Sequence, residues 1–94
     1  SFGKKHPEYA HSCMNIASVH LLNKQFSQAE SLFLEAKKVL ENSLGKAHSD
    51  YAALCNILAL LYTQQNLYAQ AEPLYQESIQ NKINQIQILL PTLS

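Results

Sequence analysis

The chain has 94 residues, enough for one small domain or for part of a larger array. Ala, Leu, Gln, Lys and Glu fill half of the positions, whereas Gly, Val and Thr contribute two residues each, and this composition predicts an all-α protein. Seven Lys balance seven acidic residues and Arg is absent. We therefore expect neither a nucleic-acid partner nor an anionic membrane as a partner.

The apolar residues form no stretch that could cross a membrane. The longest run, residues 57–62, is far shorter than the roughly 20 residues that a span needs. The N-terminal residues also lack the pattern of a signal peptide. We expect a soluble chain.

The sequence repeats itself at a shift of 42 residues. Residues 1–42 and 43–84 share 14 identical residues, and several other pairs change conservatively, as in Phe33 and Tyr75. A fixed period of this length is typical of repeat arrays. The sequence therefore predicts one unit at 1–42, a second at 43–84, and a junction tail at 85–94.

Each unit has two helical stripes of apolar residues separated by a polar break. The first stripe follows a 3.6-residue period and comprises Tyr9, Ala10, Cys13, Ile16, Ala17 and His20, which recur as Tyr51, Ala52, Cys55, Leu58, Ala59 and Tyr62. Residues 23–25 and 64–66 interrupt it, and a second stripe begins in a new phase. Helix, turn, helix is the predicted unit.

Several residues indicate where helices begin and end. Pro7 suits a first helical turn, and Ser27 with Glu30 has the spacing of a capping box. Pro73 predicts a bend unless its helix begins late. Gly3 and Gly45 suit left-handed turns between helices. The apolar spacing after Asn84 predicts that the last helix extends to about Leu90.

The segments 45–52, 56–62 and 68–75 carry a family resemblance. Over residues 1–84 the chain resembles tetratricopeptide repeats of the 42-residue kind found in kinesin light chain. The resemblance implies antiparallel helix pairs stacked into a right-handed α-solenoid, whose first helices line a concave binding groove. The tail segments 81–86 and 90–94 resemble the junction to a caspase-like (CHAT) domain in bacterial proteins.

Asparagine side chains are the residues expected to bind a ligand in the groove. Such repeats often have two successive Asn in the first helix, and the resemblance implies that these amides can bind a peptide backbone. Here each repeat has one, because Met14 precedes Asn15 and Ile57 follows Asn56. In each repeat an apolar side chain therefore replaces one of the two amides that the resemblance implies.

The outward face of the first helices is the candidate site, since it mixes amides, hydroxyls and apolar groups as peptide grooves do. The predicted groove residues are His11, Met14, Asn15, Ser18, Leu21, Asn56, Leu60, Thr63 and Gln64, with Leu22 and Ala53 at their margin. The alternative is that this face packs against neighbouring repeats or another chain. It carries no basic residue, so we do not expect a Lys or Arg clamp on an acidic ligand.

The sequence predicts no disulfide, metal site or catalytic site. Cys13 and Cys55 are equivalent positions, too far apart for a disulfide, and we expect two free, buried thiols, as suits a cytoplasmic protein. The four His lack zinc-ligand spacing, and His11 has no carboxylate or Cys at i+3 or i+4 on its own helical face. The acidic residues, including Glu35 and Glu77, are interpreted as solvated. We therefore expect no catalytic residue, no metal and no cofactor.

Three functions compete. The leading one is a non-enzymatic module that binds a protein or peptide in the groove. The second is a docking or regulatory segment of a larger caspase-like protease. The third is self-assembly into a homo-oligomer through the exposed ends of the repeats.

Overall fold

A computed structural model describes residues 6–46 and 48–89, with only the backbone of residues 87–89. It contains four α-helices: α1 (Pro7–Leu22), α2 (Phe26–Ser43), α3 (Ser49–Gln64) and α4 (Tyr68–Leu89). The described residues form no strand, and the all-α prediction is confirmed. The expectations for Gly3 and for residues 90–94 lie outside the described residues.

The helices form two hairpins. α1 packs on α2, α3 packs on α4, and the hairpins join through α2 and α3. One core runs through all four helices, and its fully buried side chains include Ala10, Ala17, Ala29, Phe33, Ala36, Leu40, Leu54, Leu58, Ala59 and Leu61. No helix of the described part is long and apolar enough to cross a membrane.

The first helix of each hairpin begins at a histidine. His6 caps α1, because its Nδ1 accepts a hydrogen bond from the Glu8 amide at 3.1 Å, and His48 caps α3 through the Asp50 amide at the same distance. Each cap satisfies a helix N–H group that has no partner within the helix. Pro7 lies in the first turn of α1, as predicted.

The predicted capping box of α2 is wrong. α2 begins at Phe26, and its N-cap is Gln25, whose side chain makes no capping hydrogen bond. Ser27 and Glu30 are therefore already within the helix. Glu30 instead accepts a hydrogen bond from Tyr62 of α3.

The turns inside the two hairpins have the same backbone. Lys24 and Asn66, which are 42 positions apart, have φ angles of 60° and 63°. In both turns the next amide bonds to a carbonyl five residues earlier, at 2.8 Å from Gln25 and 2.9 Å from Leu67. This is the Schellman arrangement that ends a helix.

The hairpins are joined at Gly45, which has the predicted left-handed conformation with φ 86°. Its amide bonds to the Leu40 carbonyl at 2.9 Å and so helps to end α2. The last helix, α4, reaches Leu89 with Pro73 inside it. Pro73 has no amide hydrogen to offer the Ala69 carbonyl, and so α4 lacks one of its internal hydrogen bonds.

The first apolar stripe differs between the hairpins. Leu58 is fully buried in α3, whereas Ile16, predicted to be buried in α1, is 53% exposed. Both helices bury their small residues, Ala17 and Ala59, against the partner helix of the hairpin. α3 is also covered by α2, while α1 is not covered on the corresponding side by the described residues.

Candidate functional site

The nine predicted groove residues differ in exposure. His11, Asn15, Asn56, Leu60 and Gln64 are exposed, and Met14, Ser18, Leu21 and Thr63 are half-buried. Met14 and Leu21 pack against the core, so part of their apolar surface already stabilises the hairpin. The exposed set is therefore the part of the predicted groove that a ligand can reach fully.

The two groove hydroxyls are engaged within their helices. Ser18 donates to the Met14 carbonyl and Thr63 to the Ala59 carbonyl, each at 2.8 Å. Thr63 Oγ1 also lies 3.4 Å from the Tyr75 hydroxyl of α4. With their protons used in this way, both hydroxyls are left mainly as acceptors.

The two amide side chains of the predicted groove differ from the hydroxyls in their hydrogen bonding. Asn15 and Asn56 are exposed, and neither side chain forms a hydrogen bond with another described residue. A primary amide offers two N–H donors and one carbonyl acceptor. Both side chains can therefore donate to and accept from an extended backbone without breaking an internal bond.

Asn56 also lines a cleft between α3 and α4. The cleft has a volume of about 350 Å³, and its described lining residues are Ser49, Ala52, Ala53, Asn56, Ile57, Ser78, Asn81, Lys82 and Gln85. Among the nine predicted groove residues, all of which are described, only Asn56 lines it. The other eight lie elsewhere on the surface.

The sequence analysis missed the contribution of α4 to this cleft. Ser78, Asn81, Lys82 and Gln85 follow helical spacing on one polar face, and this pattern was the available signal. No basic residue was expected on the outward face of the first helices, and Lys82, which lines the cleft together with Asn56, comes from α4. The expectation considered only the first helices.

Asn81 has a structural role in this cleft. It is only 6% exposed, and its Nδ2 donates to the carbonyls of Lys46, at 2.7 Å, and His48, at 3.4 Å. Its Oδ1 accepts from Gln85 Nε2 at 2.8 Å. Asn81 thus ties α4 to the α2–α3 connection.

His11 links the two hairpins. Its Nε2 lies 3.1 Å from Asp50 Oδ2, at the start of α3. Both side chains are well exposed, so the pair is worth little in stability. A contact of this kind is expected under the alternative interpretation, in which the outward face packs against a neighbouring repeat.

Three glutamates are hydrogen-bonded to tyrosines: Glu35 and Glu77, interpreted from the sequence as solvated, and Glu30, assigned there to a capping box. Tyr9 donates to Glu35, Tyr51 to Glu77 at 2.8 Å, and Tyr62 to Glu30 at 2.6 Å. The hydrogen bond to Glu35, with burial, raises the pKa of Tyr9, whereas burial is the larger cause for Tyr51. Burial and Glu30 raise the pKa of Tyr62 to about 12. These phenols stay protonated as donors at neutral pH.

Both cysteines are free and buried, as predicted. Burial raises the pKa of Cys13, and burial with the nearby Glu77 carboxylate raises the pKa of Cys55 to about 11. The nucleophilic form of a cysteine is the thiolate. Both side chains therefore act as small apolar core residues at neutral pH. The described residues form no cluster of three His, Cys, Asp or Glu that could hold a metal ion.

The sequence was compared with curated proteins and with models of protein families. A search of curated proteins found no match. Residues 8–84 match the tetratricopeptide repeat family, and the match includes α3 and all but the first residue of α1. Members of this family generally mediate protein–protein interaction, and they are generally not catalytic. Since the match covers most of the chain, the protein belongs to the tetratricopeptide repeat family.

Proposed function

We propose that the chain is a non-catalytic module that binds an extended peptide segment of a protein partner along the first helices. The proposed contacts are His11, Met14, Asn15, Ser18, Leu21, Asn56, Leu60, Thr63 and Gln64. The observation that carries the proposal is the pair of amides on Asn15 and Asn56. Both are exposed and without a hydrogen bond to another described residue, so they suit a peptide backbone.

The charge of the cleft between α3 and α4 indicates which side chain the peptide should carry there. Lys82 is the one charged side chain among its described lining residues, and Asn56 lies in the same lining. Placing an acidic side chain next to Lys82 would add a charge-assisted hydrogen bond to the backbone contacts of Asn56. The proposed ligand is therefore an extended peptide with an acidic residue at the cleft.

The proposal includes the organisation of the chain as two 42-residue units, 1–42 and 43–84, of the kinesin-light-chain type in a right-handed solenoid. Three features that recur at a 42-residue offset support it. These are the histidine caps, the left-handed turns at Lys24 and Asn66, and the Tyr–Glu hydrogen bonds from Tyr9 and Tyr51.

The test is selection of binders from displayed random peptides, followed by nuclear magnetic resonance. Titrating the selected peptide into isotopically labelled protein should shift the side-chain NH₂ signals of Asn15 and Asn56 in the same concentration range as the backbone amides of α1 and α3. The amide of Gln28, exposed on α2, is the internal control and should not move. Shifts confined to α2 or to the surface of α4 away from the cleft would contradict the proposal.

A further inference from the structure

A second cavity, with a volume of about 340 Å³, lies between α4 and the connection from α2 to α3. α4 supplies five of its described lining residues, Glu77, Gln80, Asn81, Asn84 and Gln85. Lys46 and Tyr51 complete the described lining, and we call this space the Lys46 cavity. It shares Asn81 and Gln85 with the cleft beside Asn56, but its other five lining residues are its own.

The Lys46 cavity lies on a side of α4 that the stacking of hairpins does not cover. The counterparts of Gln80 and Asn84, 42 positions earlier, are Lys38 and Asn42 on α2. Both are exposed, although the second hairpin packs on α2. A further hairpin that packed on α4 in the same way would therefore leave Gln80 and Asn84 open. The cavity is accessible whether or not other repeats flank the four helices.

Two opposite charges line the cavity without a counter-ion. Lys46 is exposed, and its ammonium group forms neither an ion pair nor a hydrogen bond with a described residue. Glu77 is half-buried, and its carboxylate accepts a hydrogen bond from the Tyr51 hydroxyl at 2.8 Å but forms no ion pair with a described residue. Because a partly buried charge is stabilised by an opposite charge, a ligand that carries both signs would pair with both residues.

Two exposed amides in the same lining can add hydrogen bonds. Gln80 Nε2 donates to Asn84 Oδ1 at 3.1 Å. This contact leaves Gln80 Oε1 as an acceptor and the two N–H groups of Asn84 Nδ2 as donors. The cavity therefore offers a cation with donors and an anion with acceptors.

The helical hairpin itself does not require these amides. The positions of Gln80, Asn81 and Gln85 correspond to Lys38, Val39 and Ser43 in α2. Asn81 is 6% exposed and Val39 is 8% exposed, so the second hairpin has a buried amide where the first has a buried apolar side chain. Since the first hairpin forms without them, the amides of the second favour a role in binding.

We propose that the Lys46 cavity binds a free amino acid. The carboxylate of the ligand accepts hydrogen bonds from Lys46 Nζ and Asn84 Nδ2, and its ammonium group donates to Glu77 and to Gln80 Oε1. A neutral sugar would use only the amides and leave both charges unpaired. The cavity is at the small end of the range for ligand pockets, about 300–1,000 Å³, which suits a single small molecule.

Nuclear magnetic resonance tests the proposal with each of the common L-amino acids as a probe. For at least one of them, titration into isotopically labelled protein should cause saturable shifts of the side-chain NH₂ signals of Gln80 and Asn84. The NH₂ signals of Asn15 and Asn56 should not move, because neither residue lines the Lys46 cavity. The result is therefore independent of the peptide groove.

Two derivatives of the amino acid that binds test the two charges separately. Its N-acetyl form lacks the ammonium group, and its amide form lacks the carboxylate. Each should bind at least about tenfold more weakly, because it leaves Glu77 or Lys46 without a charged partner.

A pair of lysine variants tests the protein side of the contact. Lys46→Gln removes the cation and should weaken binding at least about tenfold. Lys46 is exposed, so circular dichroism should show the variant folded. Lys38→Gln is the matched control, because it makes the same change at an exposed position of α2 outside the described lining, and it should leave binding unchanged.

Three outcomes would overturn the proposal. In the first, no common amino acid causes saturable shifts at Gln80 and Asn84. In the second, the N-acetyl form binds as tightly as the free amino acid, which would assign the cavity to a simple carboxylate. In the third, the Lys46→Gln variant binds as tightly as the wild-type chain.

Discussion

The Tyr51 hydroxyl donates a 2.8 Å hydrogen bond to Glu77, which ties the start of α3 to the middle of α4. Tyr9 and Glu35 repeat this contact between α1 and α2, again with donor and acceptor 26 positions apart in the sequence. Glu77 also lies 3.9 Å from the Cys55 thiol. The glutamate in each hairpin is therefore a structural acceptor at the edge of the core and not a solvated charge.

Replacing Tyr51 with Phe should lower the free energy of unfolding by about 1 kcal/mol, because it removes a donor to a carboxylate that water can partly rehydrate. Tyr68→Phe is the matched control. Among the described residues the Tyr68 hydroxyl bonds only to Asn66, and Tyr68 is 61% exposed, so the change should be close to neutral. Urea denaturation measures both. Equal losses in the two variants would show that the Tyr51–Glu77 bond adds nothing.

Apolar periodicity was sufficient to predict the helices and much of the core, because the same positions recur in both halves of the chain. It could not place Ile16, which has the same spacing as Leu58 but lacks a covering helix. Burial depends on what lies on the other side of a helix, and the sequence of that helix does not contain this information. The Ser27–Glu30 box failed because the turn at Lys24 starts α2 two residues after it.

Alkaline pH should destabilise the fold through its tyrosines. The phenol of Tyr62 has a pKa of about 12 in the folded chain and about 10 when unfolded, so the folded state binds its proton more tightly. This contribution to stability is fully present below about pH 10 and is lost as the pH rises through about 12. Urea midpoints of wild type and Tyr62→Phe should therefore converge over this range. A constant difference between them would contradict the prediction.

Both thiols should react slowly in the native protein. Cys13 is 4% exposed and Cys55 fully buried, and both pKa values are raised, so little thiolate is present at pH 8. Alkylation by iodoacetamide should be at least about tenfold slower than in urea-unfolded protein, with no disulfide formed. Rapid labelling of both thiols under native conditions would mean that the core opens readily.

Gly45→Ala should cost about 1 kcal/mol of stability through its backbone conformation alone. Its φ angle is 86°, and a Cβ atom built there meets nothing within 4 Å, so no steric clash adds to the cost. Lys24→Gly is the converse change at a φ of 60°. Glycine relieves the backbone strain of the folded state but gives the unfolded chain more freedom, so the free energy of unfolding should stay roughly the same. Thermal melting compares the two. A neutral Gly45→Ala would refute the conformational argument.

The site was harder to predict than the fold. Asn15 and Asn56 were identified from the sequence and are exposed, but the cleft beside Asn56 is half formed by α4. The expected groove consisted of the first helices alone, whereas Lys82, which also lines the cleft, comes from α4. His11 has no carboxylate three or four residues after it on its own helix, and its partner Asp50 comes from the next hairpin. Contacts between hairpins depend on stacking geometry, which a one-dimensional period does not supply.

The most direct test of the groove compares binding with stability. The double variant Asn15→Leu, Asn56→Leu should bind a selected peptide at least about tenfold more weakly, because each amide supplies hydrogen bonds only to the ligand. Its urea midpoint should stay at the wild-type value. Ala59→Leu should do the reverse, since Ala59 is fully buried and overpacking costs about 1–3 kcal/mol.

Isothermal titration calorimetry with the selected peptide, paired with urea denaturation of the same preparations, is the deciding measurement. The proposed groove predicts weakened binding at unchanged stability for the double asparagine variant. Two results would contradict the assignment of Asn15 and Asn56 to the binding surface. One is an unchanged affinity for the peptide, and the other is a clear fall in the urea midpoint of the double variant.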